Sequence, residues 1–193
     1  MYYIKYQKIH LWRLVHEGET VSHKEQIEFC KAIRNKFPTY FESKSVLDVG
    51  SLDINGNNRF LFTNCEYTGI DLGPGKNVDI ICRGHEFKTK VKFDFIISTE
   101  CFEHDEYYEL TFKNCIDLLK NGGCVLFTCA TTGRPEHGTR RTSPQDAPYV
   151  GDYYKNLVET DFTKILNFEE TFSYYKFSVH NGSHDLRFFG IKK

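Results

Sequence analysis

No stretch of this chain is apolar over the length of a membrane span, and its opening Met1-Tyr2-Tyr3-Ile4-Lys5 lacks the apolar core of a secretion signal. Both absences point to a soluble, cytoplasmic protein without a membrane partner. Charge of one sign is missing too: 25 Lys and Arg stand against 26 Asp and Glu, for a net charge of −1. That balance disfavours a general polyanion-binding surface, so nucleic acid is not an expected partner, though a local basic patch remains open. No Cys-x-x-Cys pair occurs among the seven cysteines, whose odd number and apolar surroundings suit reduced, space-filling thiols. Repeats and low-complexity segments are absent as well. What the chain does hold is core material. Its 193 residues suit one domain, and a hydrophobic fraction of 40% with 17 Phe and 12 Tyr is ample for a core.

Residues 1–22 mix aromatic and basic side chains, and Leu11, Trp12, Leu14 and Val15 suggest a short helix or lid. Residues 1–42 read together as an N-terminal helical segment ahead of a core at 43–193, all within a single domain of 1–193. From His23 to Phe41, Ile27, Cys30, Ile33, Arg34 and Phe37 recur at helical spacing until Pro38 breaks the pattern. Strands are then predicted at 45–49, 66–70, 78–81, 93–98 and 123–129. A helix is predicted over about 106–120, with Leu110, Phe112, Cys115, Ile116 and Leu119 on one face and Asn121-Gly122-Gly123 as its stop. Alternation of this kind implies a parallel, doubly wound sheet. The end of the chain departs from it. Phe168 to His180 and His184 to Lys192 read as two strands about an Asn181-Gly182-Ser183 turn, an antiparallel hairpin. Residues 131–152, rich in Gly, Pro, Arg and Thr, form a long loop of the kind that carries function.

One stretch says most about chemistry. In Val46-Leu47-Asp48-Val49-Gly50-Ser51-Leu52-Asp53-Ile54-Asn55-Gly56, an apolar strand ends in an acid and a glycine turn. Some twenty residues on, Tyr67-Thr68-Gly69-Ile70-Asp71 ends a second strand in another aspartate. Glycines let backbone approach a ligand, and a carboxylate at the second position accepts hydrogen bonds from both ribose hydroxyls. An acid there disfavours a 2′-phosphorylated ligand. The pattern therefore points to an adenosine-type cofactor.

These segments resemble the class I S-adenosylmethionine (SAM) dependent methyltransferases across about residues 43–193. Asp48-Val49-Gly50 is similar to the family's first glycine motif and Asp71 to its ribose-binding acid. Phe93-Asp94-Phe95-Ile96-Ile97-Ser98-Thr99-Glu100 is similar to its fourth-strand motif, and Leu118-Leu119-Lys120-Asn121-Gly122-Gly123 to the turn before its fifth strand. The resemblance runs closest to small glycan or sugar O-methyltransferases of bacteria and large algal viruses, which in the viral case implies the host cytoplasm. It implies an α/β fold with a Rossmann-like, seven-stranded, mostly parallel sheet of order 3-2-1-4-5-7-6, its last strand antiparallel, with helices on both faces. SAM is the implied cofactor. Its implied contacts are Asp48, Gly50, Ser51, Leu52 and Gly56 on the first turn and Asp71 and Leu72 on the second. Gly84 and His85 fall where the adenine ring would lie, and Thr99 and Glu100 at the end of the fourth strand. The chain departs from the family in its first loop, where alternating glycines shrink to Gly50 and Gly56; Asn55 or Asn57 is a candidate to take a left-handed turn instead.

Methyl transfer from a sulfonium is an in-line displacement in which the protein aligns the acceptor and manages its proton. Alignment can supply up to about 7–11 kcal/mol, and a positioned base about 10²–10⁴-fold. Glu100-Cys101-Phe102-Glu103-His104 follows the fourth strand, and on a helical turn positions i, i+3 and i+4 share a face. Two carboxylates and an imidazole then converge, half or more of an octahedral Mg²⁺ or Mn²⁺ site. The spacing resembles the E-x-x-E-H pattern of metal-dependent methyltransferases acting on ribose 2′-hydroxyls and quinone precursors. In that resemblance a downstream histidine completes the set, and His137 is the candidate. The plainer alternative is that Glu and His here pack against the cofactor and cap a helix. Without a metal, His104 or His137 becomes the candidate general base. Glu100, Glu103, His104 and His137 are thus the candidate catalytic set.

The loop from Thr131 to Asp146 is dense in hydrogen-bonding groups, and Tyr149, Tyr153, Tyr154 and Asn156 follow it. Aromatic faces and planar polar groups suit a sugar. Arg134, Arg140 and Arg141, with Tyr153 and Tyr154, are candidate acceptor-binding residues, the arginines holding a phosphate or nucleotide diphosphate or else forming ordinary surface ion pairs. The leading expectation is a SAM-dependent O-methyltransferase that methylates a sugar hydroxyl of a glycan or nucleotide-linked sugar, with a small molecule or oligosaccharide as acceptor. An RNA ribose 2′-O-methyltransferase and a non-catalytic nucleotide- or partner-binding module on the same fold are the alternatives. Monomer and homodimer both remain open.

Overall fold

The computed structural model describes residues 21–193. The helix or lid expected around Leu11 to Val15 lies outside the described residues. Helix α1 spans Val21–Lys36, and a 3₁₀ turn, Pro38–Tyr40, follows where proline stops it. Strands β1 (Ser45–Val49), β2 (Glu66–Asp71), β3 (Ile80–Ile81) and β4 (Phe93–Thr99) lead to α2 (Tyr108–Leu118) and β5 (Leu119–Ala130). Short helices α3 (Glu159–Thr163) and α4 (Phe168–Thr171) precede β6 (Phe172–His180) and β7 (Asp185–Lys192). The seven strands form one sheet in the order β3-β2-β1-β4-β5-β7-β6. Only β7 runs against its neighbours, antiparallel to both β5 and β6. No helix among the described residues is long and apolar enough to cross a membrane.

Successive strand side chains point to opposite faces, so apolar runs in this sheet fill two cores. Val46, Phe95, Ile97, Leu126 and Phe189 join Cys30 of α1 and Phe41 on one side. Leu47, Ile96, Val125, Phe127 and Phe188 join Phe112 of α2 and Phe162 of α3 on the other. That second core is largely phenylalanine: the rings of Phe127 and Phe162 lie 4.4 Å apart, and those of Phe127 and Phe188 5.0 Å apart. All seven cysteines are free, as expected, and burial pushes the Cys30 thiol up to about 12.

Several boundaries differ from those predicted. The third strand shrinks to two residues: Asp79 still donates its N–H to Gly69 O (2.8 Å), but its carboxylate, in place of a main-chain carbonyl, accepts the Gly69 N–H (2.7 Å). Helix α2 ends at Leu118, since Leu119 already pairs with Phe93 and the next paired residue is Cys124 opposite Phe95. Lys120–Gly123 therefore bulge out of the sheet, with Gly122 at φ +75°. Phe168–Thr171 is one helical turn rather than strand, because the Asn167 side chain accepts the Glu170 N–H. The closing hairpin turns through four residues between His180 and Asp185, with His184 left-handed at φ +52°. The turn thus takes in His184 beyond the expected Asn181-Gly182-Ser183.

Candidate active site

The carboxyl ends of β1, β2, β4 and β5 open onto a cavity of about 720 Å³. At the end of β1, Gly50 sits at φ +78°, and a Cβ there would meet Cys101 Sγ at 2.5 Å. Only glycine fits both demands. Ser51 donates its N–H to Ile70 O, as Gly50 does, which folds the first loop across β2. Asp71 accepts the N–H groups of Leu52 (3.0 Å) and Leu72 (2.7 Å), so each of its oxygens keeps a lone pair for a ligand. The loop missing its glycines is organised by Asp53 instead, which accepts Gly56 N–H (2.8 Å) and Asn57 Nδ2 (2.9 Å) and pairs with Lys76. The left-handed positions are Gly56 and, on the neighbouring turn, Asn77, not Asn55 or Asn57.

Two buried acceptors on this side lack a partner among the described residues: Asp48 Oδ1 and Ser51 Oγ. Asp48 is 1% exposed, and the Tyr67 hydroxyl donates to its other oxygen at 2.5 Å. Burial pushes this carboxyl up to about 7, against the opposing pull of Tyr67 and Arg59. Gly84 lines the cavity, whereas His85 does not: its ring packs 4.5 Å from that of Tyr107. Cys82, Arg83, Asp105 and Glu106 line the stretch expected from Gly84-His85. Asn58 and Gln26 also reach the cavity, a Gln26–Asn58–Thr99 chain tying α1 to the end of β4 at 3.4 and 2.9 Å.

Beyond β4 lies a second group of side chains. Glu100 is left-handed at φ +52°, an uncommon conformation for a residue with a Cβ. Thr128 of β5 donates to its Oε1 (2.8 Å), and Arg134 stands 3.7 Å from its Oε2. Phe102–His104 form a 3₁₀ turn rather than the start of an α-helix. Glu103 is fully buried and accepts the Ala130 N–H at 3.1 Å, and its Oε2 has no partner among the described residues. Burial raises both groups first; the Glu100 carboxyl then adds to it for Glu103, which lies well above the carboxylate range, and the Asp185 carboxylate for Glu100, which is pushed up to about 7. Glu100 Oε2 also lacks a hydrogen-bond partner among the described residues.

His104 is buried and held neutral, driven down to about 3 by burial and by His137. The two imidazole centroids lie 4.9 Å apart at right angles, with Tyr154 packed against both. His137 Nδ1 lies 3.1 Å from Pro135 O, and as the N–H tautomer it donates there, leaving Nε2 with its lone pair. Glu103, His104 and His137 bring ligand atoms within 4.8 Å of one another. Glu100 stands outside that cluster, taken by Thr128 and Arg134.

The expected acceptor residues divide. Arg134 and Tyr153 line the cavity; Tyr154, Arg140 and Arg141 do not. Arg134 is anchored on the closing hairpin, donating to Ser183 O (2.6 Å) and to the buried Asp185 (2.8 Å). Arg141 pairs with Glu136 at 2.8 Å. Tyr149 donates to Pro74 O at 2.9 Å, strapping the long loop to the turn after β2.

A mostly parallel seven-stranded sheet of this order, with its last-formed strand inserted antiparallel, is the Rossmann-like methyltransferase fold. A family model described as a methyltransferase domain matches residues 22–149, and the chain belongs to that family. Among solved structures, it is similar to an N-methyltransferase, NodS from Bradyrhizobium japonicum WM9, in complex with S-adenosyl-L-homocysteine (SAH). The two are 16% identical with a TM-score of 0.60, covering 96% of this chain and 93% of that one. It is also similar to a 1,6-didemethyltoxoflavin-N1-methyltransferase from Burkholderia thailandensis (13% identity, TM-score 0.56, 87% and 90% covered). A third is magnesium protoporphyrin IX methyltransferase from Synechocystis PCC 6803 with bound SAM (11% identity, TM-score 0.56, 90% and 81% covered). At such identities the likeness is one of fold. No curated protein sequence matches the chain.

Proposed function

We propose that this chain is a SAM-dependent O-methyltransferase acting on a sugar hydroxyl. The observation that carries the reading is one cavity lined by Asp71 at the end of β2 and by Glu100, His104 and His137 beside β4 and β5. The residues of the cofactor half fit SAM. Asp71 keeps lone pairs for two ribose hydroxyls, Asp48 Oδ1 is a buried acceptor suited to an ammonium, and Gly50 leaves room for close approach. When bound, SAM supplies an activated methyl group on a sulfonium.

The chain's own residues then position the acceptor and take its proton. His137 Nε2 is the acceptor for the hydroxyl proton, because His104 is too strongly depressed to serve as a base near neutral pH. The same atoms fit a divalent cation: Glu103 with its unpartnered Oε2 and two neutral imidazoles make an N,N,O donor set that suits Mn²⁺ better than Mg²⁺. Such an ion supplies Lewis acidity to a hydroxyl. Labelled SAM incubated with a sugar panel, with and without chelator and added Mn²⁺, tests both statements. Transfer to a sugar hydroxyl that chelation abolishes and Mn²⁺ restores supports the metal-assisted form. Chelator-insensitive transfer that His137→Gln abolishes supports His137 as base, and transfer to nitrogen alone overturns the reading.

A further inference from the structure

The acceptor half of the cavity is acidic, and its arginines are already engaged. Glu136, Asp146 and Asp152 line it from the long loop. Asp146 is exposed, and its carboxylate has no hydrogen-bond partner among the described residues. Arg134 is nearly buried, at 15% side-chain exposure; its Nη1 donates to Ser183 O and Asp185, and its charge is matched by Asp185 and, at 3.7 Å, by Glu100. Arg141 is held by Glu136, through both Nε (3.1 Å) and Nη2 (2.8 Å), and by Asp152 O, so it faces the loop. Arg140 stands outside the cavity lining. These are the groups a phosphate needs; Arg134 and Arg141 are charge-matched by acids, and Arg140 is not part of the wall.

We propose that the acceptor carries no phosphate: this site takes a free or glycan-linked sugar, neutral or amine-bearing, and rejects nucleotide-linked and phosphorylated sugars. The inference rests on the proposed function, whose acceptor it narrows. Carboxylates repel a diphosphate at contact distance, and like charges brought together in a partly desolvated cavity are strongly unfavourable. Tyr153, half-buried in the cavity wall, offers a ring face to the sugar's C–H surface. A place in a reaction sequence follows from the chemistry. Glycosyl transfer, which removes the sugar from its nucleoside diphosphate carrier, precedes methylation.

The test uses full-length protein, first with SAH and then with pyrophosphate and UDP as probes. An SAH-induced rise in melting temperature establishes the cofactor half; its absence defeats the proposed function, independently of the acceptor's charge. Calorimetric titration of the SAH-loaded protein with pyrophosphate and UDP is then expected to give no binding up to about 10 mM. The variant E136Q, which releases Arg141, is expected to gain pyrophosphate affinity by about tenfold or more. D146K gives a second gain of affinity at a position without side-chain partners among the described residues. Wild-type binding of either probe below about 1 mM, or pyrophosphate affinity equal in wild type and both variants, overturns the inference.

Discussion

The two halves of the cavity are built differently. The cofactor half comes from consecutive turns at the ends of β1 and β2, held by main-chain groups: Leu52 and Leu72 N–H on Asp71, and Gly50 and Ser51 N–H on Ile70 O. The acceptor half is assembled from side chains distant in sequence. Glu100 follows β4, Thr128 lies in β5, Arg134 and His137 belong to the long loop, and Asp185 opens β7. A site made of backbone turns tolerates little variation in glycine and acid placement. A site made of converging side chains can be rewritten without touching the fold, which is where specificity is expected to reside.

If that division is real, changes in one half leave the other working. The largest effect is expected from His137→Gln, which removes the proposed proton acceptor and a member of the Glu103–His104–His137 cluster. Methyl transfer should fall by about 10²–10⁴-fold, as measured with labelled SAM. SAH binding should be unaffected.

Gly50→Ala attacks the cofactor half. It forces a Cβ onto Cys101 at a left-handed position, so a loss of about 1–3 kcal/mol in denaturant unfolding is expected, together with weakened SAH binding. Unchanged stability would mean the β1 turn is not as tightly set against Cys101 as drawn.

Asp48→Asn sharpens the comparison through pH. The Asp48 carboxyl sits at about 7 in the fold against an ordinary 3.8, so between those values the unfolded chain binds fewer protons. Wild-type stability therefore falls as pH rises across that window, and is level above it. Asparagine still accepts from Tyr67 and abolishes this slope. The variant's advantage should grow from pH 4 toward 7, to about 4 kcal/mol in urea unfolding. A difference independent of pH would show that Asp48 is ionised throughout.

The smallest effect serves as a control outside both halves. Asn167→Ala removes the cap of α4 and should cost about 1 kcal/mol in stability, with SAH binding and transfer intact.

The same contrast explains what was legible in the sequence. Alternating apolar segments indicated a mostly parallel sheet, because local pattern determines it, while the strand order followed from the family resemblance; the structure gathers the Asp48-Val49-Gly50 and Asp71 turns at one cavity. The E-x-x-E-H spacing placed Glu100 in the candidate metal set, whereas the structure gathers Glu103, His104 and His137 without it. Spacing on a helical turn cannot anticipate that Phe102–His104 would wind as a 3₁₀ turn or that Thr128 and Arg134 would hold Glu100. Two of the three arginines expected to grip a phosphate, Arg134 and Arg141, are neutralised by Asp185 and Glu136, and only the tertiary fold brings Arg134 to Asp185, 51 positions away. Gln26 and Asn58 carried no motif at all. His85 was aligned by neighbour position with Gly84, yet its ring turned outward onto Tyr107.

Calorimetric titration of SAH into wild type, Asp71→Ala and His137→Gln, side by side, tests most directly whether an adenosyl cofactor occupies the β1–β2 half of this cavity. Asp71→Ala is expected to weaken binding by about 10–100-fold, for loss of charge-assisted hydrogen bonds, while His137→Gln binds as wild type does. Undiminished affinity in Asp71→Ala, or no binding of SAH to the wild-type protein, contradicts the account.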